Sequence, residues 1–595
     1  MRAIMVMFDS LSKRMLPLYG GTETKADNFN RLADKSTVFN NFYAGSMPCM
    51  PARRELHTGR YNFLHRSWGP VEPFDDSMPE ILRTSGVYTH IVSDHLHYWD
   101  DGGATYHRRY SSWECVRGQV ADSWVGKVED AEVPEHVPTM REFTHPRWWS
   151  NYWKNRDKIM SEDAYPQNNT FKKGLEFLED NKDQDNWFLQ IETFDPHEPF
   201  DVPQEFIDMY RDEYDGPFFN SPPYGVCDDS EEIVKHAQAL YRALTSMCDR
   251  NLGKVLNFMD EHEMWEDTML IVNTDHGLLV GERDWWAKSV MPCYNELVNI
   301  PFCLWDPRVK KTGKRDALAQ TIDIAPTLLD FFGCKIPEDM QGKSLKPVVE
   351  DDTPVRDIAL FGYAGSFINI TDGKHVYMRA SQTLGNKPLY EYTLMGTDRA
   401  GFMTNTQLRG AEMAPPFKFT KGCPVMKVPF KNLAKAPIFC NSFQYGNLLW
   451  DLQKDPGQES PLEDDALEAE FINKLMKEMK VSEAPVEQYE RVGLDPVKDY
   501  KASDVADMKA KRATAIEKVL PAAQWEDQAL TLFVALAGLM NDEQLSFASR
   551  VIKERLLQER REEVAFRDVT KLIIDDFKVN PEAARFLISK MIRIR

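Results

Sequence analysis

Four short, mainly apolar stretches each stop at a group of acidic and imidazole side chains, and that recurrence narrows the architectures open to the chain. Residues 3–8 run into Asp9, and residues 87–92 into Ser93-Asp94-His95-Leu96-His97. Trp187–Thr193 runs into Phe194-Asp195-Pro196-His197-Glu198-Pro199-Phe200, and Thr268–Thr274 into Asp275-His276-Gly277. Stretches of this kind suit strands buried on both faces of a parallel sheet. Between them, residues 28–33, 76–85, 168–180 and Glu231–Glu261 read as helices. The alternation implies an α/β fold, and open α/β sheets bind ligands beyond the carboxyl ends of their strands. The Asp and His residues fall at those ends.

With 595 residues the chain is too long for one core, and 42% hydrophobic content with 14 Trp supports several packed ones. A net charge of -21 argues against a nucleic-acid partner, which needs clustered cations. The cysteines, Cys49, Cys115, Cys227, Cys248, Cys293, Cys303, Cys334, Cys423 and Cys440, show no CxxC pairing and no dense disulfide framework. The chain opens directly on a strand, without an apolar signal segment, and its longest apolar run, near residues 531–540, falls short of the roughly 20 residues that span a bilayer. A cytoplasmic protein with no membrane partner is expected.

The segment Ser46-Met47-Pro48-Cys49-Met50-Pro51-Ala52-Arg53-Arg54-Glu55-Leu56-His57-Thr58-Gly59-Arg60 contains Cys-x-Pro-x-Arg followed by Thr-Gly-Arg. It resembles the signature of the sulfatase family, part of the alkaline-phosphatase-like superfamily and related to phosphonate monoester hydrolases. Further elements resemble that family in order: Asp9 after the first strand, Pro196-His197-Glu198-Pro199-Phe200, Tyr241 with Asp249, Asn251 and Gly253 on a long helix, Asp275-His276-Gly277, Trp286-Ala287-Lys288, and residues 322–328. Residues 447–459 resemble a turn of the family's smaller subdomain. Two departures stand out. Ser10 occupies the place of a second Asp, and residues 93–97 lack the Lys of the family's Gly-Lys-Trp-His.

The resemblance implies one divalent cation held by Asp9, Cys49, Asp275 and His276, with Ca²⁺ first and Mn²⁺ or Mg²⁺ as alternatives. It implies that a formylglycine-generating or anaerobic sulfatase-maturing enzyme converts Cys49 to formylglycine, whose hydrate attacks sulfur and then expels sulfate. Arg53 would hold the hydrate, Lys288 would neutralise sulfuryl oxygens, and His197 would protonate the leaving oxygen. His95, His97 and His107 are the candidate substrate contacts. The expected activity is sulfuric ester hydrolysis on a sulfated carbohydrate or small ester. A phosphonate monoester or phosphodiester hydrolase, or a silent anion-binding member, are the alternatives.

The expected fold is a large, mixed, mostly parallel sheet flanked by helices, with a smaller C-terminal antiparallel-sheet subdomain and a helical tail. The boundaries read as 1–355 for the catalytic domain, 356–485 for the subdomain and 486–595 for the tail. Residues 37–43 read as one strand, 60–68 as pocket rim, 111–165 as an insertion over the active-site face and 381–440 as irregular. The tail, with Glu, Lys, Arg and Ala at helical spacing, reads as packing helices or a surface for homo-oligomers.

Overall fold

A computed structural model describes residues 1–132, 146–210, 213–398, 401–430, 441–520, 524–537, 540, 542–580 and 584. The first strand, Arg2–Phe8, lies between Trp187–Thr193 and Thr268–Thr274 and runs parallel to both. Its side chains alternate between two cores. Ala3, Met5 and Met7 enter one, and Ile4, Val6 and Phe8 the other. Helices cover both faces, which is why the strand needs no polar side.

Tyr88–Ser93 and then Ser112–Cys115 extend the sheet in parallel beyond Trp187–Thr193. On the opposite flank Phe302–Trp305 runs antiparallel, followed by Thr37–Phe39 and Gly313–Arg315, for eight strands in all. The sheet is therefore mixed and mostly parallel, as expected. Register decides what emerges from it. Phe8 is level with both Thr193 and Thr274, so Asp9, Phe194 and Asp275 leave the sheet side by side.

A second, five-stranded sheet holds Leu448–Asp451, His375–Arg379, Ile368–Thr371 and Ala359–Tyr363 in antiparallel order. Its last member comes from far upstream: Ser46–Met47 pairs in parallel with Ala359–Tyr363, Ser46 opposite Gly362 and Met47 opposite Tyr363. The segment just before Cys49 is thus gripped by a sheet built more than 300 residues later.

Four local expectations need correction. Residues 37–43 are two strands, because Asn40 and Asn41 turn the chain, donating to Asp316 Oδ1 and to the Asp316 carbonyl at 2.7 and 2.8 Å. Tyr61, Phe63 and Leu64 are core rather than rim, packed with Leu360, Ile370, Tyr377 and Phe471. Residues 381–440 carry a three-stranded antiparallel sheet, Tyr390–Thr393, Val425–Pro429 and Glu412–Ala414. Residues 111–165 contribute the edge strand Ser112–Cys115 and the helix Pro146–Ile159, whose Trp149, Tyr152 and Trp153 share a cluster with Phe194; residues 133–145 lie outside the described residues.

The tail is helical, with Ala502–Val519, Asp527–Ala537, Asp542–Glu559 and Phe566–Lys571, and it buries Leu532, Phe533 and Ile552 in a core shared with Leu384 and Phe443. A short parallel pair, Gln524–Trp525 with Glu563–Val564, ties its helices together. Among the described residues, no helix is long and apolar enough to cross a membrane.

Candidate active site

Cys49 begins a helix, Cys49–Thr58, that is buried along its whole length. Gly59 ends it in the left-handed conformation, at φ 57°. Glu55 anchors the helix to the strand before it, accepting from Ser46 N at 2.6 Å and from the Thr321 hydroxyl. Burial pushes the Glu55 carboxyl up to about 7. The first helical turn therefore sits at a fixed place below the strand ends.

Four side chains from three distant segments meet there. The candidate ligand atoms of Asp9, Cys49, Asp275 and His276 all lie within 4.8 Å of one another, and all four residues are buried. Cys49 Sγ is 3.5 Å from His276 Nε2 and 3.8 Å from Asp9 Oδ1. His276 Nδ1 lies 2.9 Å from the Gly277 carbonyl oxygen. A carbonyl only accepts, so Nδ1 carries the proton and Nε2 turns a lone pair toward the cluster. The next residue has to be glycine, since a Cβ on Gly277 would lie 1.9 Å from the Glu296 carbonyl oxygen.

Arg53, one turn after Cys49, ties the carboxylates together. Its Nε donates to Glu192 Oε1 at 2.7 Å and its Nη1 to Asp275 Oδ2 at 2.8 Å and to the Cys49 carbonyl at 2.9 Å. Nη2 is 3.0 Å from Asp9 Oδ2, an ion pair without hydrogen-bond alignment. Burial works to raise the Asp9 carboxyl, but Arg53, His95 and Lys288 together hold it well below the usual carboxylate range. Burial, reinforced by Asp9 and Asp275, pushes the Cys49 thiol well above its ordinary value, so the unmodified side chain is a neutral thiol.

The innermost charges are Asp9, Glu192 and Asp275 against Arg53 and Lys288. One negative charge is left over in a dry site, which suits a cation. Two carboxylates and an imidazole with its lone pair turned inward are a fitting donor set for a divalent ion.

The remaining sequence candidates take different places. His197 Nδ1 is 2.6 Å from the Glu198 carbonyl oxygen and its ring lies 4.2 Å from Phe194; burial depresses it to about 4. Lys288 donates to Ser10 Oγ at 2.8 Å. His95 is engaged at both nitrogens: Nδ1 accepts from His97 N at 3.3 Å, and Nε2 faces Asp9 Oδ2 at 3.2 Å. Its ring therefore steadies Asp9 instead of facing a ligand. His97, 2.7 Å from Asp100 Oδ2 and edge-on to Trp68, is half-buried nearby. His107 stacks on Trp99 at 5.1 Å and lies beside Trp113 and, edge-on at 6.4 Å, Tyr98, an aromatic packing position.

Sequence reading missed Glu192, inside a strand, and Tyr98, whose hydroxyl donates to Glu192 Oε2 at 2.9 Å. A carboxylate in the apolar stretch Trp-Phe-Leu-Gln-Ile-Glu-Thr was the available signal, since a buried acid requires a partner.

A mostly parallel sheet whose strand ends converge on an acid–thiol–imidazole cluster defines an α/β protein with its site at the carboxyl ends of the strands. The sulfatase family model matches residues 2–334, more than half of the chain. An arylsulfatase of Clostridium perfringens is 22% identical over 382 residues, covering 58% of this chain and 78% of the relative. Two solved structures share the fold. One is a protein in complex with its substrate D-glucosamine-2-N,6-O-disulfate (TM-score 0.55, 15% identity, covering 84% of this chain and 99% of that one). The other is the phosphonate monoester hydrolase of Agrobacterium radiobacter (TM-score 0.54, 18% identity, 81% and 96% covered). The chain belongs to the sulfatase family and is a sulfuric ester hydrolase.

Proposed function

We propose that this enzyme releases inorganic sulfate from a sulfated saccharide or small ester, using a formylglycine made from Cys49 and one divalent cation. The observation that carries the reading is the placement of Cys49 Sγ 3.5 Å from His276 Nε2 and 3.8 Å from Asp9 Oδ1, within a ligand set that Asp275 completes. Ca²⁺ is the first choice for a site of two hard carboxylates, with Mn²⁺ or Mg²⁺ as alternatives. When bound, the cation would polarise a sulfate oxygen and acidify the hydrate at residue 49.

The chain's own groups have separable parts. Arg53 fixes the two acidic ligands and the residue 49 carbonyl in one frame. Lys288 brings a positive charge to the anionic oxygens of the ester. His197, with Nδ1 committed to the Glu198 carbonyl, presents Nε2 for proton transfer to the leaving oxygen. The neutral, buried Cys49 thiol is a poor nucleophile as it stands, which favours conversion by a maturing enzyme over direct attack. At 2% exposure, residue 49 has to be converted before the fold closes over it.

The sulfated-saccharide class rests on the relative solved with a glucosamine disulfate. Ser10 in place of a second acid favours the alternative, a phosphonate monoester or phosphodiester hydrolase with the same machinery. The test is mass spectrometry of the tryptic peptide ending at Arg53 from the natural host. It is joined to assays on aryl sulfate, aryl phosphonate and a panel of sulfated mono- and disaccharides, before and after chelation. An unconverted Cys49 in active enzyme, or chelation without effect, would defeat the proposal. A preference for phosphonate would move the substrate to the second class.

A further inference from the structure

Building on the proposed function, we infer that Ser10 is the positioning residue for Lys288. Its hydroxyl holds the ammonium beside Asp9 through a neutral partner, so the positive charge stays available to the anionic group of the ester.

Ser10 is fully buried and makes a bond with every polar group it has. Its N–H donates to Asp275 Oδ1 at 3.0 Å, and its carbonyl accepts from the Tyr241 hydroxyl at 2.8 Å. The hydroxyl has one proton and two lone pairs. The proton goes to Asp9 Oδ1 at 2.7 Å, and a lone pair accepts from Lys288 Nζ at 2.8 Å. The residue does this from φ 63°, a left-handed conformation that glycine would adopt without cost. A turn alone would be better served by glycine, so the side chain is the feature to be explained.

The charges around it give the reason. Arg53 spends Nε and Nη1 on Glu192, Asp275 and the Cys49 carbonyl, and its Nη2 is drawn against Asp9 Oδ2 at 3.0 Å. The stretch 93–97 brings no lysine. Lys288, by contrast, has no carboxylate at contact distance among the described residues and keeps donors to spare. An ammonium has three, and among the described residues Lys288 uses one, on Ser10. Its nearest carboxylate oxygen, Asp9 Oδ1, stands off at 3.9 Å. A carboxylate at position 10 would capture the ammonium in a close ion pair, whereas a hydroxyl orients it and leaves its charge uncompensated at contact distance.

The experiment uses the full chain with unconverted Cys49, saturated with Ca²⁺, and titrates inorganic sulfate by calorimetry; Ca²⁺ binding is measured separately. Ser10→Gly relaxes the backbone and removes the hydroxyl. Ser10→Asn tolerates the left-handed conformation and supplies a neutral acceptor. We expect Ser10→Gly to weaken sulfate about tenfold, the scale of a hydrogen bond to a charged group, with Ca²⁺ affinity kept within about twofold. Ser10→Asn should recover most of the loss. In converted enzyme, Ser10→Gly should raise KM more than it lowers kcat. Wild-type sulfate affinity in Ser10→Gly, or parallel loss of Ca²⁺ and sulfate, would overturn the inference while leaving the proposed function standing. Wild-type protein that binds neither would overturn both.

Discussion

Cys49 and His197 illustrate how far burial changes what a side chain can do. The thiol, enclosed with two carboxylates, is kept protonated, which supports the proposed conversion. Cys49→Ala is expected to abolish turnover with an unchanged melting temperature, since the residue lost is small and the frame around it is built by Arg53; retained activity would remove residue 49 from the mechanism. His197 is held neutral down to about pH 4, chiefly by burial. A proton donor has to be protonated first, and the negative charge of a bound ester raises its affinity for that proton. The alkaline limb of kcat, which reports the enzyme–substrate complex, should therefore lie at higher pH than the alkaline limb of kcat/KM, which reports the free enzyme. Coincident limbs would exclude His197 as the acid.

At the scale of elements, the Cys49–Thr58 helix depends on parts of the chain that lie far from it. Ser46–Met47 is a member of the second sheet, and Glu55 reaches back from the helix to Ser46 and across to Thr321. Gly45 leaves room for that carboxylate: an added Cβ would lie 2.1 Å from Glu55 Oε1. Gly45→Ala is expected to cost about 3 kcal/mol of stability and to reduce activity by displacing the helix start, measured by chemical denaturation and by turnover of an aryl sulfate. A variant as stable and active as wild type would show that Glu55 does not hold the helix in register. The long Glu231–Glu261 helix has a comparable part, for Tyr241 accepts from Ser12 N and donates to the Ser10 carbonyl, fixing the turn that follows the first strand.

For the molecule as a whole, buried neutral histidines work against stability toward acid. Burial depresses His57 and His65 to about 3, and His90 and His197 to about 4. An unfolded histidine titrates near about pH 6.5. Between that value and the folded ones, the unfolded chain takes up protons that the folded chain refuses, so stability falls as pH falls. Each group contributes up to about 1.4 kcal/mol per pH unit across that window. Glu55 and Asp94, raised by burial to about 7, take up protons in the folded chain over the same range and oppose that loss, so the histidine share is read by comparison: in urea unfolding, His90→Gln should lose less stability between pH 7 and pH 5 than wild type. The same pH 7-to-pH 5 difference in the two proteins would mean that the His90 ring is charged in the folded protein.

The sequence by itself determined the strands that carry the chemistry and the order in which they supply it. Trp187–Thr193, Glu231–Glu261 and Thr268–Thr274 stand where periodicity put them, because continuous apolar patterning and a 31-residue amphipathic face are local properties. Asp9, Cys49, Asp275 and His276 were named from motifs whose spacing is also local. Tertiary structure decided the rest. That His95 supports Asp9, that His107 packs among tryptophans, that Glu192 anchors Arg53, and that a strand before Cys49 joins a sheet after residue 359 are all contacts between distant segments. Strand register and crossover choose such partners, and no residue's neighbours in sequence encode them.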